Sequence, residues 1–285
     1  MSNLNSSEID YDLFAPEFLF NSYPLYKLIR SKDPVYYYKK GGFWYLTRYK
    51  DVEASYQDTR LSSDRSSLFV QQLEGVDLNT IQNFRFLMGN MMVEKDPPHH
   101  TQLRKISLPG FLPRALENWR SIIQETTDNL LDIPNGINAL LNHPHELRRL
   151  KENPELIDSA IEEMIRFDAA ATHSLRVAKE NLTIGGKEIS AGSVVALGIA
   201  AANHDPEKFE NPEVFNITRS PNEHLGFGKG IHFCLGSVLA RMELKICFST
   251  LLKRMPNLMF DPNYTPVVKR NSLAFKGFES LRVKF

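Results

Sequence analysis

Cys234 lies in FGKGIHFCLG, residues 227–236, where an apolar-periodic segment begins. Gly228, Gly230 and Gly236 let the backbone take positive φ and let neighbouring groups approach closely. At a helix mouth, free N–H groups and the helix dipole favour the thiolate over the thiol. A sulfur so placed suits a metal ligand or a nucleophile. A cysteine taken at random is more often an inert apolar side chain, but the glycines and the helix mouth count against that reading here.

Zinc usually takes paired Cys or His ligands at short spacing, and His232-x-Cys234 is one imperfect pair with no second near it. A cysteine hydrolase needs a base and an orienting partner, and the sequence singles out neither. Haem needs one axial cysteine, plus cations for its two propionates. Candidate cations exist. His100 and Arg104 are four apart in DPPHHTQLR, on one helix face, with no acid at helical spacing on the next turn. Arg176 and His232 add the same sign. Exposed basic residues often face only water, so the pair by itself is equally consistent with solvent. Glu163 and Arg166 are three apart and can pair. Arg166 projects almost opposite the apolar stripe of its helix, which reads as a surface ion pair of little energetic value.

The elements that must hold these residues are mostly helical. DPVYYYKKGGFWYLTRY reads as strand, Gly41-Gly42 turn, strand. Asp96 suits a helix N-cap and Pro97 the first helical position. In PRALENWRSIIQETTDNLLD, Leu116, Trp119, Ile122 and Ile123 share one face. IPNG, 133–136, stops that helix, and helical spacing resumes at once in INALLNHPHELRRL. The next helix is capped by Asn153, opened by Pro154, and buries Leu156, Ile157, Ala160, Ile161, Met164 and Ile165. LTIGGKEI is a hairpin and SVVALGI a strand. An irregular stretch, 211–230, precedes a long helix with Leu235, Val238, Leu239, Met242 and Ile246 on one side. The fold class is mainly α with small β-sheets, as a single domain over 1–285.

The 285 residues carry 34 basic and 34 acidic side chains, with 42% hydrophobic residues. That balance gives no footprint for nucleic acid or an acidic surface. Two cysteines make no disulfide framework, so a reducing, cytoplasmic setting is expected. The apolar run 191–202 is too short and glycine-broken for a membrane anchor, and MSNLNSSEIDYDLF has no signal-peptide pattern.

Taken together, the chain resembles the cytochrome P450 superfamily in its soluble bacterial form. FGKGIHFCLG matches the haem loop, EMIR (163–166) the Glu-x-x-Arg helix, and DPPHHTQLR the propionate-binding helix. Arg219 in FNITRSP stands where the family's meander arginine completes a triad with Glu163 and Arg166. The resemblance implies a P450-like fold holding haem b (iron protoporphyrin IX), with Cys234 as proximal metal ligand. It implies Phe227, Gly228 and Gly236 around the sulfur, and His100, Arg104, Arg176 and His232 on the propionates. Glu163, Arg166 and Arg219 would form a structural clasp. The implied activity is a monooxygenase acting on a small organic substrate, fed by a separate ferredoxin or flavoprotein reductase.

The resemblance covers roughly 23–131 and resumes near 135. At the junction, 132–135, the family carries further distal helices, including the lid and the first half of the long helix with its acid–alcohol pair. Glu125-Thr126-Thr127 contains such chemistry, but its context assigns it to the earlier helix, so no catalytic residue is assigned. The gap implies impaired proton delivery and exposed apolar surface. A non-catalytic haem-thiolate protein, or inactive remnant, and a peroxide-driven oxidant are the alternatives.

Overall fold

The computed structural model describes residues 11–13, 15, 18, 21–66, 68, 77, 79–129, 134–269 and 274–285. Helix α1 (Tyr23–Lys32) leads into the hairpin β1 (Val35–Tyr38) and β2 (Phe43–Leu46), and Gly42 in its turn has φ of 65°. Next come α2 (Tyr49–Gln57), β3 (Leu61–Ser62), α3 (Gln82–Gly89), α4 (His99–Ser107), α5 (Pro113–Leu116) and α6 (Arg120–Asn129). The second half opens with α7 (Pro134–Asn142), α8 (Pro144–Glu152) and α9 (Ile157–Phe167). Strand β4 (Ser174–Ala178), the hairpin β5 (Leu182–Ile184) and β6 (Lys187–Ile189), and β7 (Val194–Leu197) follow. Short α10 (Ile199–Ala202) and long α11 (Ser237–Arg254) precede the small strands β8 (Met259–Phe260), β9 (Val267–Val268), β10 (Phe278–Ser280) and β11 (Val283–Lys284).

The main sheet has the order β1-β2-β7-β4-β3. Strand β2 runs parallel to β7, with Phe43 opposite Val194 and Leu46 opposite Leu197, so segments from both halves of the chain share one sheet. Its β-branched and aromatic residues suit a pleated, packed surface. A separate helical core joins α7, α9 and α11 through Ile137, Leu140, Ala160, Ile161, Met164, Phe248 and Leu251. These two cores hold the segments that carry the site.

Local expectations fail where neighbours outcompete them. Helix α4 begins at His99, not Pro97. Pro98 has no N–H to receive a cap, and the Asp96 carboxylate instead accepts hydrogen bonds from Ser62 Oγ at 2.6 Å and the Ser63 N–H at 2.9 Å. Asn153 turns back to donate to the Arg149 carbonyl at 2.9 Å, and one 3-10 turn, Pro154–Leu156, precedes α9. Pro134 opens α7, a position its fixed φ suits. Residues 132 and 133 of the junction lie outside the described residues. Leu116 and Ile123 are buried as expected, but Trp119 is 52% exposed, Ile122 53% and Val238 42%. Phe86 and Ile106 are exposed as well. Among the described residues, no helix is long and apolar enough to cross a membrane.

Gly136 marks the tightest helix contact. A Cβ there would lie 2.3 Å from Cζ of Phe248, a ring that is itself buried. Alanine in a helix interior gains about 1 kcal/mol over glycine, whereas overpacking a core costs about 1–3 kcal/mol. Gly136→Ala is therefore expected to lower stability, read as a lower urea midpoint with unchanged slope.

Candidate functional site

The loop before α11 places Cys234 as a free, half-buried thiol. The Cys234 N–H donates to the Phe227 carbonyl at 2.9 Å, and the Cys234 carbonyl accepts from the Ser237 N–H at 3.3 Å, which launches the helix. Gly228 and Gly230 have φ of 70° and 69°, where other L-residues are strained. A Cβ on Gly230 would also sit 2.9 Å from the Tyr56 carbonyl, so α2 packs directly on the loop. A Cβ on Gly236 would meet the Cys234 sulfur at 4.0 Å, which puts Sγ against the backbone of that glycine.

Residues far apart in sequence gather beside this loop. The His100 and His232 rings lie 4.0 Å apart between centroids. His100 Nδ1 and His232 Nε2 are buried without a hydrogen-bond partner. Arg176 is buried, with Nη1 donating to Ser174 Oγ at 2.7 Å and its guanidinium 5.3 Å from the Tyr56 ring centre. Burial lowers the pKa of His232 to about 4, and the charges of His100, Arg176 and Arg104 press in the same direction. Burial, then Arg104, also lowers His100, and burial, then Arg65, lowers Arg176. Asp96 opposes these effects only in part. A basin of four basic groups with two orphaned ring nitrogens fits a group carrying two carboxylates. A single thiolate beside it fits an axial iron ligand. Haem fits this donor set.

Periodicity misplaced Glu163 and Arg166. Both side chains are fully buried. Arg166 donates from Nε and Nη2 to the Glu163 carboxylate, each at 2.8 Å, and from Nη1 to the carbonyls of Asn203 at 2.7 Å and Pro212 at 3.0 Å. Arg219 Nε approaches the same carboxylate at 3.1 Å, and the Asn216 N–H donates to it at 2.9 Å. The irregular stretch beyond Asn203 wraps over what the helix pattern alone presents as a solvent face. Tyr56 and the ion pair of Arg65 with Glu94 beside the basin had no signal in spacing. Glu125 and Thr126 are exposed on α6.

Two measurements follow from the clasp. Removing one partner of a buried ion pair costs about 3–5 kcal/mol, so Glu163→Ala is expected to lose most of its folded fraction in a urea titration that leaves Gly136→Ala largely folded. His204, behind Arg166, is lowered to about 3 by burial and then by the Arg166 charge. An unfolded histidine takes up its proton near 6.5, so acidification through the interval from 6.5 to about 3 favours the unfolded chain. Stability present above pH 6.5 is expected to fall by about 1.4 kcal/mol per pH unit from this group. His204→Gln, if folded, is expected to show a shallower acid limb in urea midpoints taken from pH 7 to 5.

The sequence profile of the cytochrome P450 family matches residues 149–265. The chain is similar to a biotin biosynthesis cytochrome P450 of Bacillus subtilis (strain 168), 29% identical over 401 positions that cover 95% of this chain and 98% of that one. Those 401 positions exceed the 285 residues of this chain, so the relative carries stretches that it lacks. Cytochrome P450 CYP107DY1 of Priestia megaterium is 46% identical over 223 residues, covering 74% of this chain and 53% of the relative. The solved structure of P450BioI in complex with a hexadec-9Z-enoic acid ligated acyl carrier protein matches with a TM-score of 0.84 at 26% identity, covering 95% of this chain and 100% of that one.

Proposed function

Because this chain belongs to the cytochrome P450 family of haem-thiolate monooxygenases, we propose that Cys234 is the proximal ligand of haem b and that the neighbouring basic residues hold its carboxylates. The carrying observation is the free Cys234 thiol in a glycine-built loop, beside buried ring nitrogens of His100 and His232 that lack partners. Haem held through a thiolate supplies activation of O2 and transfer of one oxygen atom to an organic substrate.

The chain's own residues have separate tasks. Gly236 keeps a side chain away from the sulfur, and Gly228 takes the left-handed backbone turn that the loop needs. Phe227 shields the sulfur from water. His100, Arg104, Arg176 and His232 offer charge-assisted hydrogen bonds to two carboxylates. Glu163, Arg166 and Arg219 hold the strand-poor segment that delivers the loop. Electrons come from a separate ferredoxin or flavoprotein reductase, in a cytoplasmic setting, and the substrate is a small organic molecule. Proton delivery is weakened, since the family's acid–alcohol pair belongs to the distal stretch this chain lacks, and Glu125 and Thr126, exposed on α6, do not replace it.

That last observation favours a second reading, a haem-thiolate protein that binds without turnover. Product formed with a surrogate reductase and O2 supports the oxygenase. Product with peroxide alone supports a peroxide-driven oxidant. Haem retention with no product under either supports the binding protein. The ligand assignment has its own test in the reduced, carbon monoxide-bound spectrum of the purified haem-loaded protein. A red-shifted thiolate-type Soret band is expected, with near-complete loss in Cys234→Ser. A normal band in that variant refutes the assignment.

A further inference from the structure

Behind the cysteine loop lies a charged network that the carboxylate basin does not use. Glu162 and Glu163 are adjacent on α9, so they project about 100° apart. Glu163 enters the clasp, and Glu162 faces α11. There it accepts from Arg241 Nε at 2.6 Å and Nη2 at 2.8 Å. The His224 ring lies on the same carboxylate, Nε2 to Oε2 at 3.1 Å. The Gly226 N–H reaches His224 Nδ1 at 3.1 Å, so Nδ1 accepts and Nε2 carries the hydrogen given to Glu162. Burial alone would raise the Glu162 carboxyl, but the hydrogen bonds from Arg241 and His224 outweigh it and bring the pKa to about 2.

The Arg241 guanidinium has a second contact. Its Cζ lies over the Phe227 ring, 4.6 Å from the ring centre. Phe227 in turn accepts the Cys234 N–H through its carbonyl at 2.9 Å. Guanidinium can serve both neighbours at once, with its edge on a carboxylate and its face on a ring. A lysine cannot. The Glu162 hydrogen bonds raise the pKa of Arg241, with the Cys234 sulfur adding to that effect.

We propose that Arg241, anchored by Glu162, is a positioning residue that fixes Phe227 against the cysteine loop and sets the electron affinity of iron bound at Cys234. The inference rests on Cys234 as ligand. Reduction adds one negative charge to the iron–sulfur unit, and a fixed cation nearby favours the reduced form. Charge and clamp geometry are separable, because lysine restores the charge without the bidentate planar fork that sets the position of the ring.

The test uses the haem-loaded protein with Arg241→Gln, Arg241→Lys and Glu162→Gln, read by potentiometric titration of the haem and by the carbon monoxide spectrum. Arg241→Gln is expected to shift the ferric/ferrous equilibrium about tenfold toward ferric, which is about 59 mV for a one-electron couple. Arg241→Lys is expected to recover more than half of that shift, yet to convert a larger share of the carbon monoxide complex to the band without the red shift. Glu162→Gln removes an anion, which by charge alone would favour the ferrous form. The proposal expects the opposite sign, because the anchor is lost. It also decides the matter should Arg241→Gln load no haem. Wild-type protein without the red-shifted band overturns the Cys234 reading itself. A normal wild-type band, with Arg241→Gln and Glu162→Gln both within twofold of the wild-type equilibrium, overturns only the role of Arg241.

Discussion

A fully desolvated guanidinium is the constraint around which the chain is arranged. Arg166 has no contact with water, so each of its donors requires an acceptor supplied by the protein. Glu163 provides two, and backbone carbonyls of Asn203, Pro212 and Val214 provide the rest. Those carbonyls belong to a stretch with little regular helix or strand, built from successive turns. Binding Arg166 ties those turns to α9. Such a pair adds little net stability compared with well-packed hydrocarbon, but leaving it half made is costly. It therefore selects one conformation among many for the segment it organises.

The selection propagates directly to the loop. The Asn203 side chain, fully buried, accepts the Leu225 N–H at 2.8 Å, two residues before Phe227. The clasp and the cationic basin are electrostatic opposites. In the clasp every charge is answered within the protein. Near the cysteine, four basic groups lie together, and the nearby acids Asp96 and Glu94 are engaged with Ser62, Ser63 and Arg65. Folding tolerates the second arrangement because neutral histidine is available to two of the four, as the depressed pKa values of His100 and His232 express.

The sequence made the haem loop legible because glycine, histidine and cysteine there are restricted by conformation and chemistry together. The hairpins at Gly41-Gly42 and Gly185-Gly186 were legible for the same reason. Arg166 was not, since helical periodicity sees only the neighbours on its own helix and not the coil that covers it. Trp119 and Ile122 show the converse failure. Their spacing reads as a buried face, but the described chain lays nothing over them. Asp96 looked like a cap by type and position. The consecutive prolines removed the N–H it needed, and two serines from β3 and its following turn claimed the carboxylate. Arg241 gave no signal at all, because a cation on a mixed helix face is ordinary until its ring and its carboxylate are seen in space.

The parallel register of β2 against β7 has a consequence for biosynthesis. Residues 43–46 leave the ribosome about 150 residues ahead of their partners at 194–197. At roughly 5–20 residues per second, that leaves one edge of the hairpin unpaired for about 8–30 s. Throughout that interval its aromatic strand, Phe43-Trp44-Tyr45-Leu46, offers free backbone donors and acceptors to any other nascent chain. During that window the strand is open to mispairing until residues 194–197 arrive to cover it.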